Sequence, residues 1–438
     1  MEELARESIS LLAKPALDSG SPRLSSLGAI FIMLKSALGA GLLNFPWAFE
    51  RAGGIRAAVA VEMVCMIFLI SGLVILGYSS SISGQTTYQG VVRGVCGPAI
   101  GQMCNVVFIF NLFAISVAFL IIVEDQLEKL CASLYELVTR RPEADMPHLW
   151  YTDQRLALTL LCVFLVLPLS IPKEISFQKY ISVLGTLAAT YLTVAIIIKY
   201  HTRPAQNVSG YSSGISSWAS MFSVIPSICF GFQCHEASIT IYSSMENKKL
   251  SHWVFISVVS MVICLIIYSL TGIYGYLTFG EDVAADILMS YRGNDVLMFV
   301  ARVLFGISIV TIYPIVVLLV RSVIQAPLLT LRRRVAVVTE AFESRCRYGL
   351  TVAWITVTML IAMFVPDISK VIIVIGGISA FFIFIFPGLC LIFAMQSEPV
   401  SWWTRLALTS WGSVTLLCGA FIFGQSTTTA IMQLLHHV

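Results

Sequence analysis

Two stretches of this sequence combine residue types that could do chemistry inside an apolar setting. The first is Lys35-Ser36-Ala37-Leu38-Gly39-Ala40-Gly41-Leu42-Leu43-Asn44-Phe45-Pro46; the second is Pro226 followed by Phe230-Gly231-Phe232-Gln233-Cys234-His235-Glu236. Each glycine costs a helix about 1 kcal/mol and each proline about 3 kcal/mol, so both helices are expected to break. A break leaves unpaired N–H groups, which suit a carboxylate, and unpaired C=O groups, which suit a cation. A zwitterionic amino acid needs both. Because glycine lets backbone approach a ligand closely, Gly39, Ala40 and Gly41, with Ser36 beside them, form the expected carboxylate cradle. Phe230, Gly231 and Phe232 form the expected pocket for the amino group and side chain.

The elements that must hold these stretches are membrane helices. The chain has 438 residues, 58% of them hydrophobic and 12% charged, with a mean hydropathy of +0.88, against roughly 25% charged in a soluble domain. Apolar runs recur along almost its whole length, and with about 20 apolar residues needed per crossing they divide into eleven expected spans. The class is therefore an all-α polytopic membrane protein. Its expected organisation is an N-terminal tail (1–26), five spans (27–200), an outer loop (201–216), five more spans (217–395), and a last span with the C-terminus (396–438). The broken spans are the first and the sixth, the same place in two successive sets of five. Corresponding interrupted helices in two halves point to a transporter built from inverted repeats, with its substrate at the breaks.

Other functions find less support. A net charge of +3 spread among apolar spans lacks the one-sided basic surface of a nucleic-acid binder. Most cysteines sit in apolar runs without metal-ligand spacing and read as small buried hydrophobes. No nucleophile or carboxylate constellation of an enzyme stands out, and no cofactor is implied. The first 23 residues lack an apolar core, so no cleavable signal is expected. Lys and Arg favour a cytoplasmic N-terminus, chiefly through Arg321, Arg332, Arg333, Arg334, Arg345 and Arg347 between spans eight and nine. The C-terminus then lies outside, as does the sequon Asn207-Val208-Ser209. Tyr88 to Cys96 is partly amphipathic and suits an interfacial or re-entrant helix.

At this point the chain resembles the sodium-coupled neutral amino acid transporters, solute carrier family 38, within the amino acid/auxin permease group. The resemblance runs from about Leu24 to Thr427. It rests on Gly-Ala-Gly-Leu-Leu-Asn-Phe-Pro (39–46), Ile-Cys-Phe-Gly-Phe-Gln-Cys-His (228–235), Leu-Thr-Phe-Gly (277–280), Phe-Pro-Gly-Leu-Cys (386–390) and Phe-Ile-Phe-Gly-Gln (421–425). It implies a LeuT-like five-plus-five inverted repeat plus one helix, uptake of small neutral amino acids such as glutamine and alanine, and sodium as the coupling ion. The membrane is expected to be the plasma membrane or, alternatively, the lysosomal one.

The resemblance also implies a sodium site at the carbonyls of Lys35 and Leu38 with Ser308 and Thr311. Many relatives carry asparagine where Lys35 stands, so two readings of this lysine stay open. Its ammonium pairs with Glu62 as a structural ion pair, or it competes for the cation site and weakens sodium coupling. Asn111 and Ser116 suit either the pocket or interhelical hydrogen bonds. His235 with Glu236 suits a proton-coupled pair or a water-facing inner half. A proton-coupled or sodium-independent carrier, or an amino acid receptor that moves no net substrate, remains the alternative.

The topology makes a direct prediction. Asn207 carries glycan, so Asn207→Gln removes a glycosidase-sensitive shift in electrophoretic mobility; unchanged mobility in both proteins contradicts the glycan.

Overall fold

The computed structural model describes residues 25–139, 154–172, 178–202, 218–292, 295–333, 340–365 and 368–435. Asn207, Arg334, Pro366 and Asp367 lie outside the described residues.

The first expected span is α1 (Ser26–Ala37), a tight turn (Ala40–Asn44) and α2 (Phe45–Arg51), with the two halves bent by 50°. Then come α3 (Ile55–Ser83), the short α4 (Tyr88–Cys96) and α5 (Pro98–Thr139). The fourth segment joins α6 (Gln154–Leu161) to α7 (Leu167–Ser170) through a π-helical turn, Cys162–Val166, and is followed by α8 (Gln178–Thr202). The sixth is divided into α9 (Trp218–Ser223), α10 (Ile225–Gly231) and α11 (His235–Ser244). After it run α12 (Leu250–Phe279), α13 (Val296–Arg333) and α14 (Glu340–Phe364). The tenth segment, α15 (Ile368–Ala380) and α16 (Phe386–Ser397), is interrupted by a second π-helical turn, Phe381–Ile385; α17 (Trp402–Leu435) ends the described chain.

Among the described residues, eight helices are long and apolar enough to cross a bilayer, nine when the bent first pair counts as one. Gln154–Ser170 is apolar but shorter, and the sixth segment is split into pieces. Several helices run longer than a bilayer crossing needs: α5 has 42 residues, α13 has 38 and α17 has 34, against about 20 per crossing. Helix formers such as Glu, Gln, Lys, Leu and Ala extend α5, and a helix does not stop where its apolar character stops.

Packing centres on α12, which meets α1, α2, α3 and α8, while α15 lies against α10, α5 and α17. One face of α12 carries Tyr268, Gly272 and Gly275, at helical spacings of four and three. A side chain at Gly272 would meet the Phe49 ring at 2.6 Å, and one at Gly275 would meet Pro46 at 2.5 Å. These glycines let α2 sit down on α12.

Beyond the end of α12, residues 280–292 fold over the first break. Asn44 Nδ2 donates to Ala285 O at 3.0 Å. Asp286 accepts from Gln126 Nε2 at 2.7 Å and from the Leu288 N–H at 2.8 Å. Arg302 donates to Leu288 O and Tyr291 O at 3.0 and 2.8 Å. Burial raises the Asp286 carboxyl to about 7, with the Leu288 N–H, the Arg302 charge and Gln126 pulling it down. A carboxyl raised in the fold stabilises fully below its ordinary value near 3.8 and loses that contribution as pH climbs through about 7. Thermal stability is therefore expected to fall between pH 5 and pH 8, and Asp286→Asn to flatten that dependence. A wild-type melting temperature independent of pH in this window contradicts it.

Candidate functional site

The first break forms because Leu38 leaves the helix at φ −71°, ψ 98° and Gly39 follows fully extended at φ −148°, ψ −150°. Pro46 then starts α2, where its missing N–H is no loss. In the second break Phe232 to Cys234 are non-helical between α10 and α11. The two breaks touch: a side chain at Gly41 would come within 2.6 Å of Gly231 Cα, and one at Gly231 would strike the Phe45 ring at 2.5 Å. Gly41 is thus required for the close approach of backbone to backbone. Gly39 has open space, its nearest neighbour being Ala37 O at 4.0 Å.

A tyrosine joins the ends. The Tyr268 hydroxyl lies 2.7 Å from Ala37 O and 2.8 Å from Gly231 O, the carbonyls that close α1 and α10. Both are helix C-termini, where partial negative charge gathers, so two electronegative ends converge on one donor. Phe45 stacks on Tyr268 with ring centroids 4.2 Å apart, and Phe232 packs on both at 5.9 and 4.8 Å. Phe232 is consequently fully enclosed in this aromatic trio, whereas Phe230 lies beside Gly41. Ser36 is half-buried near the end of α1, and Ala40 is buried in the tight turn.

A polar network continues from the second break. Glu236 Oε1 accepts from Asn111 Nδ2 at 2.7 Å and from Gln233 Nε2 at 3.0 Å, and Gln233 Oε1 accepts from Ser379 Oγ at 2.5 Å. This ties α5, the break and α15 together. Asn111 is fully buried, with its Oδ1 unpartnered. His235 does not face water: it is buried and its Nε2 is 3.0 Å from Leu69 O on α3. Ser116 makes an interhelical contact, receiving the Trp354 indole N–H at 3.1 Å.

Two of the expected sodium ligands, Ser308 and Thr311, lie on α13. The Thr311 hydroxyl donates to Ile307 O and Ser308 O at 2.8 and 2.9 Å, back onto its own helix. The Ser308 hydroxyl is directed towards Gly185 of α8. Leu38 is buried at the first break and Lys35 is half-buried one turn earlier. Glu62 is completely buried, and its hydrogen bond comes from Ser269 at 2.8 Å; the other oxygen has no hydrogen-bond partner. The carboxyl group is therefore held by the residue next to Tyr268. Among the described residues no group of three His, Cys, Asp or Glu could hold a metal ion. A cleft of about 640 Å³ lined by Tyr191, Lys199, Asp295 and Leu297 lies apart from the breaks, between α8 and α13.

Tyr268, Gln233 and Ser379 were not candidates on sequence grounds. The spacing of Tyr268 with Gly272 and Gly275 was the available signal for the first.

The family model described as transmembrane amino acid transporter protein matches residues 22–432. The chain is 64% identical to a Xenopus tropicalis protein named as a sodium-coupled neutral amino acid transporter 8, over 99% of each chain. It is 54% identical to solute carrier family 38 member 8 of Homo sapiens, over 99% of this chain and 100% of the relative. Identity to sodium-coupled neutral amino acid transporter 7 of Danio rerio is 44%, over 98% and 94%. Among solved structures, MhsT in complex with L-phenylalanine matches with a TM-score of 0.56 at 15% identity, covering 92% of this chain and 100% of that one; this likeness concerns the fold alone. The chain belongs to the transmembrane amino acid transporter protein family and is a membrane transporter, not an enzyme.

Two expectations follow from the geometry. Tyr268→Phe takes a donor from two buried carbonyls and should cost about 1 to 3 kcal/mol, read as a lower melting temperature in detergent. Gly41→Ala should destabilise far more than Gly39→Ala, since only the former collides with the opposite break; equal melting temperatures for the two variants contradict the contact.

Proposed function

We propose that this member of the transmembrane amino acid transporter family is a secondary carrier of small neutral amino acids, glutamine and alanine among them, working by alternating access around its two broken helices. The observation that carries the reading is the convergence of two half-helix C-termini, at Ala37 and Gly231, on the Tyr268 hydroxyl. An ammonium group is the chemistry such carbonyls accept. The backbone of Ala40 and Gly41, where the tight turn opens, is the proposed source of the complementary N–H groups for a carboxylate. Phe230 and Gly231, which lie against Gly41, and Asn111 are the further residues we assign to the substrate.

The relatives' names carry sodium coupling, and we extend it to this chain with Lys35, Leu38, Ser308 and Thr311 as the candidate site. Lys35 qualifies the reading. The residue lies in the last turn before the first break; an ammonium directed at the cation site would repel sodium, since two unit charges 4 Å apart repel by about 4 kcal/mol at an effective dielectric of 20. Sodium dependence is thus expected to be weaker than in relatives with asparagine there. Eleven spans in an inverted five-plus-five repeat plus one, a cytoplasmic N-terminus and an outer, glycosylated Asn207 complete the proposal. The plasma membrane is its place, the lysosomal membrane the alternative.

Radiolabelled L-glutamine uptake into proteoliposomes tests it. Concentrative uptake driven by an inward sodium gradient is expected, with Lys35→Asn increasing the sodium dependence. Absence of uptake under either a sodium or a proton gradient overturns the carrier reading in favour of a receptor.

A further inference from the structure

Helix α4 is short, amphipathic and seated on protein rather than alone at an interface. Its buried face is Tyr88, Val91, Val92 and Cys96, and it lies against α3, α5, α11 and α16. It therefore bridges the second half of the sixth segment, α11, and the second half of the tenth, α16. The Tyr88 hydroxyl donates to Phe382 O in the π-helical turn at 2.9 Å, and the helix's buried side chains pack on apolar neighbours. At its C-terminal end, Cys96 Sγ on α4 is 3.7 Å from Cys390 Sγ on α16. A disulfide is about 2.05 Å long, so the sulfurs need to close by less than 2 Å. Cys96 is the last residue of its helix and is followed by Gly97 at φ +92°, a left-handed stop; a helix end of this kind moves more easily than a helix interior.

We propose that Cys96 and Cys390 are a reversible thiol–disulfide pair, whose oxidation by a peroxide locks α4 onto α16 and arrests transport. The bond itself stands on the geometry above; the arrest rests on the carrier reading. Cys96 is 9% exposed and Cys390 0%, so Cys96 is the first to react. Its thiolate attacks one oxygen of hydrogen peroxide, the O–O bond breaks, and one water and a sulfenic acid result. The Cys390 thiol then attacks that sulfur, the S–O bond breaks, a second water leaves and the S–S bond forms. Two thiols and one peroxide thus become one disulfide and two waters, and a dithiol reductant reverses the change. On the proposed topology α4 faces the cytoplasm, where disulfides are transient and redox-sensing rather than structural. Cys104 on α5, buried and within electrostatic range of both sulfurs, is the third thiol of the cluster and serves as the control.

The full-length protein in proteoliposomes is treated with hydrogen peroxide, blocked with a maleimide, digested without reductant and analysed by mass spectrometry. A peptide pair joined through Cys96 and Cys390 is expected, lost on dithiothreitol. Radiolabelled glutamine uptake should fall at least fivefold and return with dithiothreitol. Cys96→Ser and Cys390→Ala should each abolish the cross-link and the sensitivity to peroxide, while Cys104→Ser keeps both. Absence of the joined peptide in the oxidised wild type overturns the proposal, and so does loss of uptake that persists in Cys96→Ser. A cross-link without loss of uptake overturns the lock. Should the reduced protein carry no glutamine, the carrier reading fails separately, and the lock is read as a peroxide-induced rise in melting temperature that Cys96→Ser lacks; no such rise overturns it.

Discussion

The arrangement depends on one hydrogen-bonding constraint: inside a bilayer, every carbonyl freed by a broken helix must find a donor within the protein. Here the carbonyls of Ala37 and Gly231 find the same one, the Tyr268 hydroxyl. A single phenolic O–H between two helix ends fixes their distance and orients both toward a common point. Without such a donor the breaks would carry orphaned polar groups, each costing several kcal/mol in lipid; with it they become a preorganised, electronegative junction.

The surrounding packing serves that junction. Gly272 and Gly275 bring α2 against α12, which sets Phe45 over the Tyr268 ring; Gly41 and Gly231 bring the two breaks into backbone contact. Ser269, next in sequence to Tyr268, holds the buried Glu62. From the second break the chain of Gln233, Glu236, Asn111 and Ser379 reaches α5 and α15. The two broken segments are therefore joined through α12 on one side and anchored to α5 and α15 on the other. A ligand inserted at the junction would be felt by all of these helices, which is what coupling of binding to movement requires.

The breaks were legible in the sequence because glycine and proline act locally: Gly39, Gly41 and Pro46 mark the first and Gly231 the edge of the second, while Pro226 falls at the start of α10. The family was legible through the motifs spanning those same positions, and the family comparison agrees. What holds the breaks together was not. Tyr268 is one tyrosine in an apolar helix, and its partners are 231 and 37 residues away in the chain, a relation that no local pattern encodes. Gly41 was expected to face a ligand, yet its missing side chain is needed first by Gly231. His235, which sequence left open between a proton-coupled pair and a water-facing position, is buried against Leu69. Thr311, three residues from Ser308 and so on a common face, spends its hydroxyl on its own helix, as hydroxyls in membrane helices commonly do. Helix spacing could state the shared face, not the bond.

The most direct measurement of the central claim is an experimental structure of the protein in lipid nanodiscs with bound L-glutamine. The account predicts the ligand between residues 37–41 and 230–233, its ammonium taking up a carbonyl that Tyr268 otherwise serves and its carboxylate against the backbone of Gly39 to Gly41. Glutamine seated instead in the cleft by Tyr191, Lys199 and Asp295, with the Tyr268 hydroxyl still bridging Ala37 and Gly231, would contradict it.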